Sequence, residues 1–326
     1  MPPIPGNPSP VPAALRRTLG ALALATAAAC GTAEARGAPE AARRLHVIQG
    51  FGFPESVRYD PAQDVFFVSN MAGPGSLKNG NGYVVRVSAA DLRGHAVFIQ
   101  GGADGVVLNA PKGMALHGDT LWVADIDVVR GFHRRTGAPL ATIDLRPHGA
   151  VLANDVAVGP DGSLYVTDTG IAMTDKGVMY RGGDKIFVIG PGRRVSLLAQ
   201  GRHLGRPNGI TWDPEGERWI VVSFDPFRSE VYAIQPGQNV PRGQEARTVL
   251  ARGVGRFDGV ERLADGRLLV TCWADSSLHV IDGDRDERII RGLWQPADLG
   301  VDTRRNRVAI PLVLQGRVEV WELPKR

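Results

Sequence analysis

The chain has 326 residues, a length that suits one large domain or two ordinary ones. Hydrophobic residues make up 43% of it and charged residues 22%, as in a typical soluble globular protein. The formal net charge is +4, and arginines carry nearly all of the positive charge because only five residues are lysines. These arginines are scattered and form no basic block, which argues against a nucleic-acid partner.

Residues 1–35 have the pattern of an export signal. Arg16 and Arg17 precede TLGALALATAAAC, an apolar run that is too short to span a bilayer. The small-x-small sequence AEA at 33–35 has the form of a signal peptidase site, whereas AAAC ending at Cys30 resembles a degenerate lipobox. Both processing routes stay open. The sequence therefore predicts an exported protein, periplasmic or extracellular, either free or anchored by a lipid on Cys30, with no transmembrane segment.

The second cysteine, Cys272, lies inside the strand-like sequence LLVTCW. We interpret it as a small buried apolar residue without a disulfide partner. An exported domain without disulfides depends on its hydrophobic core, and this chain is long enough to bury one.

A unit made of a polar start, an apolar strand, a turn and a second apolar strand recurs along the chain. The six copies are FPESVRYDPAQDVFFVSN (53–70), APKGMALHGDTLWVADI (110–126), NDVAVGPDGSLYVTDTG (154–170), RPNGITWDPEGERWIVVSF (206–224), RFDGVERLADGRLLVTCW (256–273) and QPADLGVDTRRNRVAIPLV (295–313). Further strand-like runs, such as YVVRVS after a copy and HAVFIQGG before one, bring each unit to four strands. No helical periodicity persists beyond the leader.

Four-stranded units repeated around an axis form a β-propeller. We therefore predict an all-β fold, a single six-bladed β-propeller domain over residues 45–323 with four antiparallel strands per blade. The N-terminal LHVIQGFGFPES begins like an outer strand, and the last unit lacks an outer strand after GRVEVWEL. We expect the N-terminal strand to complete the last blade and close the ring, which leaves no long exposed edge. Two stacked β-sandwiches would not explain a polar start at the same offset in every unit.

Each unit has one residue at a fixed offset before its turn, and we call this residue the axial position. The axial positions are Glu55, Lys112, Asn154, Asn208, Asp258 and Ala297. The first strand of each propeller blade lines the central channel, so we expect these side chains to converge at one mouth of the channel. Four of them are oxygen donors, two carboxylates and two amides. Hard oxygen ligands with a combined charge of −2 suit Ca²⁺ or another divalent cation, whereas zinc prefers cysteine and histidine.

Glu, Asn, Asn and Asp at these positions resemble the calcium-dependent six-bladed propellers of the senescence marker protein/gluconolactonase family, and of the paraoxonases and diisopropylfluorophosphatase. The matching motifs are FPES, NDVAVGPDG, RPNGITWDPEG and FDGVERLADG, and together they extend over nearly the whole chain after the leader. The resemblance implies that Glu55, Asn154, Asn208 and Asp258 bind Ca²⁺. It also implies that Asp258 acts as a base or nucleophile, and that the substrates are lactones or other esters.

Two axial positions depart from the family pattern. Ala297 offers no ligand, although Asp298 beside it would. Lys112 stands where paraoxonases have a histidine, and three roles for it stay open. It could hold a substrate carboxylate or a developing oxyanion, or pair with Glu55 or Asp258 in place of the ion, or extend its ammonium out of the channel.

The ends of the second strands, and the loops after them, are expected to face the same mouth. Two of these loops, 70–82 and 167–184, are long and glycine-rich, as lids and binding loops often are. The candidates for contact with substrate, or for support of the ligands, are Asp155, Asn70, Asp125, Asp168, Trp273 and Tyr180.

The sequence thus predicts an exported Ca²⁺-dependent hydrolase of lactones or related esters. Its catalytic residues would be Asp258 and Lys112, and its metal ligands Glu55, Asn154, Asn208 and Asp258. The alternative is a non-catalytic propeller that binds a small ligand or a protein partner on its loop face.

Overall fold

The structure is a computed structural model that describes residues 41–235 and 247–325. The predicted leader and Cys30 lie outside these residues. The described residues belong to one compact unit, Pro39–Arg326. Within the described part, no helix has the length and apolar character needed to cross a membrane.

The described residues form β-strands and four short 3₁₀ helices. The strands, numbered in chain order, are β1 (Arg43–Gln49), β2 (Pro54–Asp60), β3 (Val65–Asn70), β4 (Tyr83–Ser88), β5 (His95–Gln100), β6 (Pro111–His117), β7 (Thr120–Asp125), β8 (Val128–His133), β9 (Pro139–Asp144), β10 (Ala153–Val158), β11 (Leu164–Asp168), β12 (Ile171–Thr174), β13 (Gly177–Tyr180), β14 (Lys185–Ile189), β15 (Val195–Gln200), β16 (Pro207–Asp213), β17 (Arg218–Ser223), β18 (Ser229–Ile234), β19 (Arg247–Gly253), β20 (Phe257–Arg262), β21 (Leu268–Cys272), β22 (Ser277–Asp282), β23 (Arg285–Arg291), β24 (Gly300–Asp302), β25 (Arg307–Leu312) and β26 (Arg317–Glu322). The helices are Arg146–His148, Pro191–Arg193, Arg202–Leu204 and Val313–Gln315.

Twenty-four of these strands form six four-stranded antiparallel sheets, which we call blades 1 to 6. From first to outer strand, the blades are β2-β3-β4-β5, β6-β7-β8-β9, β10-β11-β14-β15, β16-β17-β18-β19, β20-β21-β22-β23 and β24-β25-β26-β1. This confirms the predicted six-bladed β-propeller with four antiparallel strands per blade.

Strand β1 closes the ring, as predicted. It pairs antiparallel with β26, and His46, Val47 and Ile48 lie opposite Val320, Glu319 and Val318. The N-terminal strand is therefore the outer strand of the last blade, and the backbone edge of β26 is covered.

Burial falls from the axis outwards. The first strand β2 is buried almost throughout, whereas most of the outer strand β5 is exposed. First strands such as β2 and β10 contact the first strands of the blades on either side, so they are buried on both faces although they contain polar residues. Apolar residues between neighbouring blades form the core; for example, Tyr165 of blade 3 packs on Trp219 of blade 4 with ring centroids 4.0 Å apart.

The predicted long loop 167–184 contains a small hairpin rather than loop alone. Strands β12 and β13 pair antiparallel, with Ile171 opposite Tyr180 and Met173 opposite Val178. The hairpin is an insertion between the second and third strands of blade 3. Segment 70–82 begins with Asn70, the last residue of β3, and contains no further strand before β4 begins at Tyr83.

Removal of β1 should destabilise the whole ring. A variant without residues 1–49 loses Ile48 from the core and exposes the edge of β26, whereas a control without residues 1–40 retains the strand. We expect the shorter variant to unfold ~5–10 °C below the control in a thermal melt followed by circular dichroism. Equal midpoints for the two truncations would contradict ring closure by β1.

Candidate metal centre and cavity

A β-bulge places the axial residue in each of blades 1 to 5. In blade 1 the register between β2 and β3 shifts between Pro54 and Val57, so Glu55 lies outside the regular ladder. The same shift occurs at Lys112, Asn154, Asn208 and Asp258. A bulge turns a side chain away from the alternation of its strand, and this explains why a polar residue starts each otherwise apolar first strand.

Hydroxyl groups on the second strands fix these bulges and link adjacent blades. Thr167 Oγ1 accepts the Asp155 amide (3.0 Å) and donates to the Asn208 carbonyl of the next blade (2.6 Å). Thr271 repeats this arrangement in blade 5, where it accepts the Gly259 amide (2.8 Å) and donates to a carbonyl before blade 6 (3.0 Å). The backbone that carries the axial residues is therefore held by hydrogen bonds across blade boundaries.

Four axial residues share one cavity of about 300 Å³ at a mouth of the channel. They are Glu55, Asn154, Asn208 and Asp258, and each is at most 6% exposed. The structure thus brings together the four side chains that the sequence predicted as ligands. Trp273 lines the same cavity.

The donor atoms of this group fit a hard divalent cation. Glu55 Oε2 and Asp258 Oδ1 are buried, and neither has a hydrogen-bond partner among the described residues. Asn154 Nδ2 donates to Thr169 Oγ1 (2.8 Å), which leaves the amide oxygen as the atom for a ligand. Buried carboxylate oxygens without donors are costly unless a cation or proton satisfies them. Carboxylate and amide oxygens are the ligands that Ca²⁺ takes.

Burial and like charge raise the pKa of both carboxyl groups. Desolvation is the main cause of the raised pKa of Glu55, with repulsion from Asp258 next, while Lys112 opposes the shift. The raised pKa of Asp258 also comes mainly from desolvation and then from Asp298, and it is moderated by the neighbouring Asn208 and Trp273 side chains. The Trp273 indole Nε1 approaches Asp258 without forming a regular hydrogen bond. A bound cation would reverse these shifts by favouring the ionised forms.

Lys112 is fully buried, so it does not extend into solvent, and that interpretation was wrong. Its Nζ donates to the carbonyl oxygens of Gly75 (2.7 Å) and Ala110 (3.0 Å). Among the described residues, no carboxylate forms an ion pair with it within 4 Å, although the charge of Glu55 favours its protonated form. Desolvation dominates and lowers the pKa of Lys112. Lys112 therefore fastens segment 70–82 to blade 2, and it is not among the residues that line the cavity.

A second group of acidic residues lies one position further along the first strands. Asp155 accepts the Ile210 amide (2.8 Å), so it supports the strand that carries Asn208 rather than Asn154 itself. Asp298 accepts the Ser56 hydroxyl (2.5 Å), and burial raises its pKa to about 6. The nearby Arg58 guanidinium, which also pairs with Glu261, works against that rise.

Three of the predicted supporting residues lie at the ends of second strands, where their side chains accept hydrogen bonds from backbone amides. Asp168 accepts the amides of Val151 and Leu152 (both 2.8 Å), just before the first strand of its blade. Asp125 accepts equivalent amides in blade 2, and Asn70 accepts the Gly52 amide (3.1 Å) in blade 1. These side chains hold the approach to each first strand and do not line the cavity.

Tyr180 lies in the apolar cluster around the mouth but does not line the cavity. Its ring lies under the Arg206 guanidinium, 4.8 Å from ring centroid to Cζ. Its position on β13 makes it part of the hairpin rather than a residue of the ligand group.

Trp273 was predicted as a contact for substrate, but the apolar walls to which it belongs were not predicted as a set. A residue directly after the second strand of several blades supplies them, namely Met71, Phe224, Trp273 and Val313. In blade 3 the same position is Thr169, the residue that orients the Asn154 amide. The sequence repeat could have identified these wall residues, because each lies at the same offset, directly after the second strand.

A different group of ligand-type side chains lies in blade 5 and consists of Cys272, Asp275 and His279. His279 is held on one side by Asp275 (3.1 Å) and on the other by Asp286 (2.6 Å). Burial raises the pKa of the Cys272 thiol to about 12, and its Sγ contacts the Gly255 carbonyl (3.3 Å). These contacts satisfy the group internally as a hydrogen-bond network.

Residues 53–298 match the family described as the SMP-30/gluconolactonase/LRE-like region. The chain belongs to this family. The match covers more than half of the chain and contains all four predicted ligands, and it confirms the resemblance noted from the motifs. Proteins of this family are in general metal-dependent.

Solved structures with related folds include a gluconolactonase from Xanthomonas campestris, at 16% identity and a TM-score of 0.65, covering 87% of this chain and 95% of that one. A luciferin-regenerating enzyme matches at 12% identity and a TM-score of 0.60, covering 87% and 94%. A chain from a nidogen/laminin complex matches at 21% identity and a TM-score of 0.54, covering 72% and 78%. The comparison with curated proteins gave no match. At these identities the likeness establishes the fold.

The raised pKa values predict how stability depends on pH when chelator removes divalent cations. The folded protein binds protons more tightly than the unfolded chain at Asp298, whose pKa is about 6, and at Glu55 and Asp258. Stability should therefore fall as pH rises from about 4 through 6 and above. Since Ca²⁺ needs ionised carboxylates, its stabilising effect should be larger at pH 7.5 than at pH 5.5. Thermal melts of the chelated protein that show no loss of stability between these pH values would contradict the shifts.

Replacement of Lys112 should loosen segment 70–82. Lys112→Met keeps the aliphatic stem but removes the bond to the Gly75 carbonyl, so amide exchange over residues 71–78 should become faster. Lys185→Met is a matched control, since Lys185 Nζ likewise donates to two carbonyls, those of Gly149 (2.8 Å) and Gly183 (2.7 Å). The control should destabilise blade 3 and leave exchange in 71–78 unchanged. Equal exchange in Lys112→Met and the wild type would contradict the fastening role.

Proposed function

We propose that the protein is a divalent-cation-dependent hydrolase of lactones or related esters, with Ca²⁺ as the cation. The observation that carries this proposal is the pair of buried oxygens without hydrogen bonds, Glu55 Oε2 and Asp258 Oδ1, in one cavity with Asn154 and Asn208. Membership of the gluconolactonase-like family supports the substrate class.

The four cavity residues would hold the cation through their side-chain oxygens. A bound divalent cation supplies Lewis-acid polarisation of an ester carbonyl. The protein contributes the position of these ligands, which the bulges and the hydroxyl bridge at Thr167 fix before any ligand binds. Preorganised ligands need no rearrangement when charge develops on the substrate.

Asp258 is the residue that we assign to proton transfer. Its carboxylate lies in a buried site that raises its proton affinity, as a general base requires. As water attacks the carbonyl carbon, Asp258 takes one proton of the water. The ester C–O bond then breaks, and the proton passes from Asp258 to the leaving alkoxide, so one ester and one water give one acid and one alcohol. Direct attack by the Asp258 carboxylate is the other route that the same geometry supports.

Lys112 has an indirect role in this scheme. Because its Nζ binds the Gly75 carbonyl and the residue does not line the cavity, it positions the segment above the site and does not contact the reacting atoms.

The leader at residues 1–35 supports the further proposal that the enzyme is exported and acts on small-molecule substrates outside the cytoplasm.

Asp258→Asn should separate catalysis from cation binding. The variant keeps an oxygen at nearly the same place but removes the base, so we expect turnover of δ-valerolactone and phenyl acetate to fall about 10²–10⁴-fold. Calorimetric titration should show that Ca²⁺ still binds, more weakly because one charge is lost. The control is Asp302→Asn, which alters a buried carboxylate that pairs with Arg305 and does not line the cavity.

The control should retain wild-type turnover. If the Ca²⁺-loaded wild type hydrolyses no lactone or ester, the hydrolase proposal fails and the propeller is a binding protein. If Asp258→Asn turns over substrate at the wild-type rate, the assignment of Asp258 fails although the protein is a hydrolase.

A further inference from the structure

The cavity above the ligand group has two chemically different parts. Its floor consists of the polar side chains of Glu55, Asn154, Asn208 and Asp258. The walls are mainly apolar, and their side chains are Met71, Ile171, Met173, Phe224, Trp273 and Val313. Polar side chains above the floor are few among the described residues, namely Thr174 and Gln295.

These walls belong to one packed cluster. Phe224 and Trp273 meet edge to face, with ring centroids 5.2 Å apart. Met71, Ile171 and Val313 belong to the same buried group, and Met173 packs against it. Methionine is unbranched and polarisable, so walls that contain two of them adapt to apolar groups of different shape.

Hydrogen bonds hold the walls in place on the side of blades 1 and 3. The Ser76 amide donates to the Met173 carbonyl (3.0 Å), and the Met173 amide donates to Ser76 Oγ (2.9 Å). Lys112 binds the neighbouring Gly75 carbonyl (2.7 Å). Segment 70–82 and the β12–β13 hairpin thus form a joined wall whose side chains, Met71 and Met173, both approach Gly75.

The apolar surface continues outwards from the cavity. Phe53 is 40% exposed and Leu314 is 53% exposed, and both line the opening. A substrate that reaches the floor therefore passes and contacts apolar side chains along its length.

We propose that the cavity selects lactones or esters that carry an apolar substituent, and that it disfavours polyhydroxylated sugar lactones. This inference rests on the proposed hydrolase function and specifies its substrate class. Each sugar hydroxyl moved from water to an apolar wall loses hydrogen bonds that the wall cannot replace. Each buried methylene gains from the same transfer. The reactive carbonyl lies at the polar floor and the substituent along the walls.

The test is a substrate series on the Ca²⁺-loaded full chain. It compares kcat/KM for δ-valerolactone, δ-octalactone, δ-decalactone and glucono-δ-lactone. We expect kcat/KM to rise up to about fourfold per added methylene until the cavity is filled. Glucono-δ-lactone should be at least ~10-fold poorer than δ-valerolactone, because its hydroxyls lose their partners.

Met173→Gln tests the wall directly, because it keeps the shape of the side chain and adds a polar amide. It should reduce the ratio of kcat/KM for δ-decalactone to kcat/KM for δ-valerolactone by about threefold or more. The matched control is Met179→Gln on the same hairpin, where the side chain is 41% exposed and does not line the cavity. The control should keep the wild-type preference, and circular dichroism melts establish that both variants are folded.

Binding without turnover is measured in parallel by calorimetry with two ring ethers that cannot be hydrolysed. We expect 2-pentyltetrahydropyran to bind the wild type more tightly than tetrahydropyran, and Met173→Gln to reduce the difference. If kcat/KM does not rise along the lactone series, and glucono-δ-lactone is hydrolysed as well as δ-decalactone, the proposed substrate class is overturned and the hydrolase proposal stands. If no lactone is hydrolysed but the ether preference is present, the hydrolase proposal fails and the apolar ligand class is supported. If the ether preference is also absent, both are overturned.

Discussion

The repulsion between buried carboxyl groups around one axis is the constraint on which the rest of this site depends. Glu55, Asp155, Asp258 and Asp298 are each at most 6% exposed, and burial raises the pKa of every one of them. Repulsion adds to the rise, from other members of this group for Glu55, Asp155 and Asp258, and from Glu261 for Asp298. Such a group is stable only if its members are protonated, hydrogen-bonded or near a cation. Arg58 provides that charge beside Asp298 and Asp155. Among the described residues no basic side chain forms an ion pair with Glu55 or Asp258 at the cavity floor, and the charge of Lys112 acts on Glu55 from a greater distance.

The closed ring determines where these carboxyl groups lie and keeps them close together. Each blade supplies one first strand, and in blades 1 to 5 a bulge in that strand turns the axial side chain out of the alternation of the strand. Thr167 and Thr271 then connect the bulge of one blade to the backbone of the next. Because the ring is closed by β1, no blade can move outwards to relieve the repulsion without breaking contacts on both of its sides. A cation between the axial side chains would relieve the repulsion without moving the backbone.

The sequence predicted the blades, the ring closure and the four floor residues, because each depends on a feature that repeats at a fixed offset. It did not show that Asp168 and Asp125 bind backbone instead of facing the cavity, because a carboxylate at the end of a strand looks the same in sequence in both cases. The β12–β13 hairpin interrupts only one blade, so the repeat carried no information about it. The role of Lys112 depends on the Gly75 carbonyl, which lies on a loop whose path the repeat does not specify.

The polar floor and the apolar walls also affect each other. Asp258 lines the same cavity as Phe224 and Trp273, and its burial there is the main cause of its raised pKa, although the Trp273 side chain itself moderates the rise. The enclosed cavity that would accommodate an apolar substituent is thus also the buried site that raises the proton affinity of Asp258. A sugar lactone would require polar wall residues and the water that accompanies them, and this would weaken the same effect by raising the local dielectric constant. The proposed substrate class and the proton affinity of Asp258 thus both depend on how the cavity above the floor is enclosed.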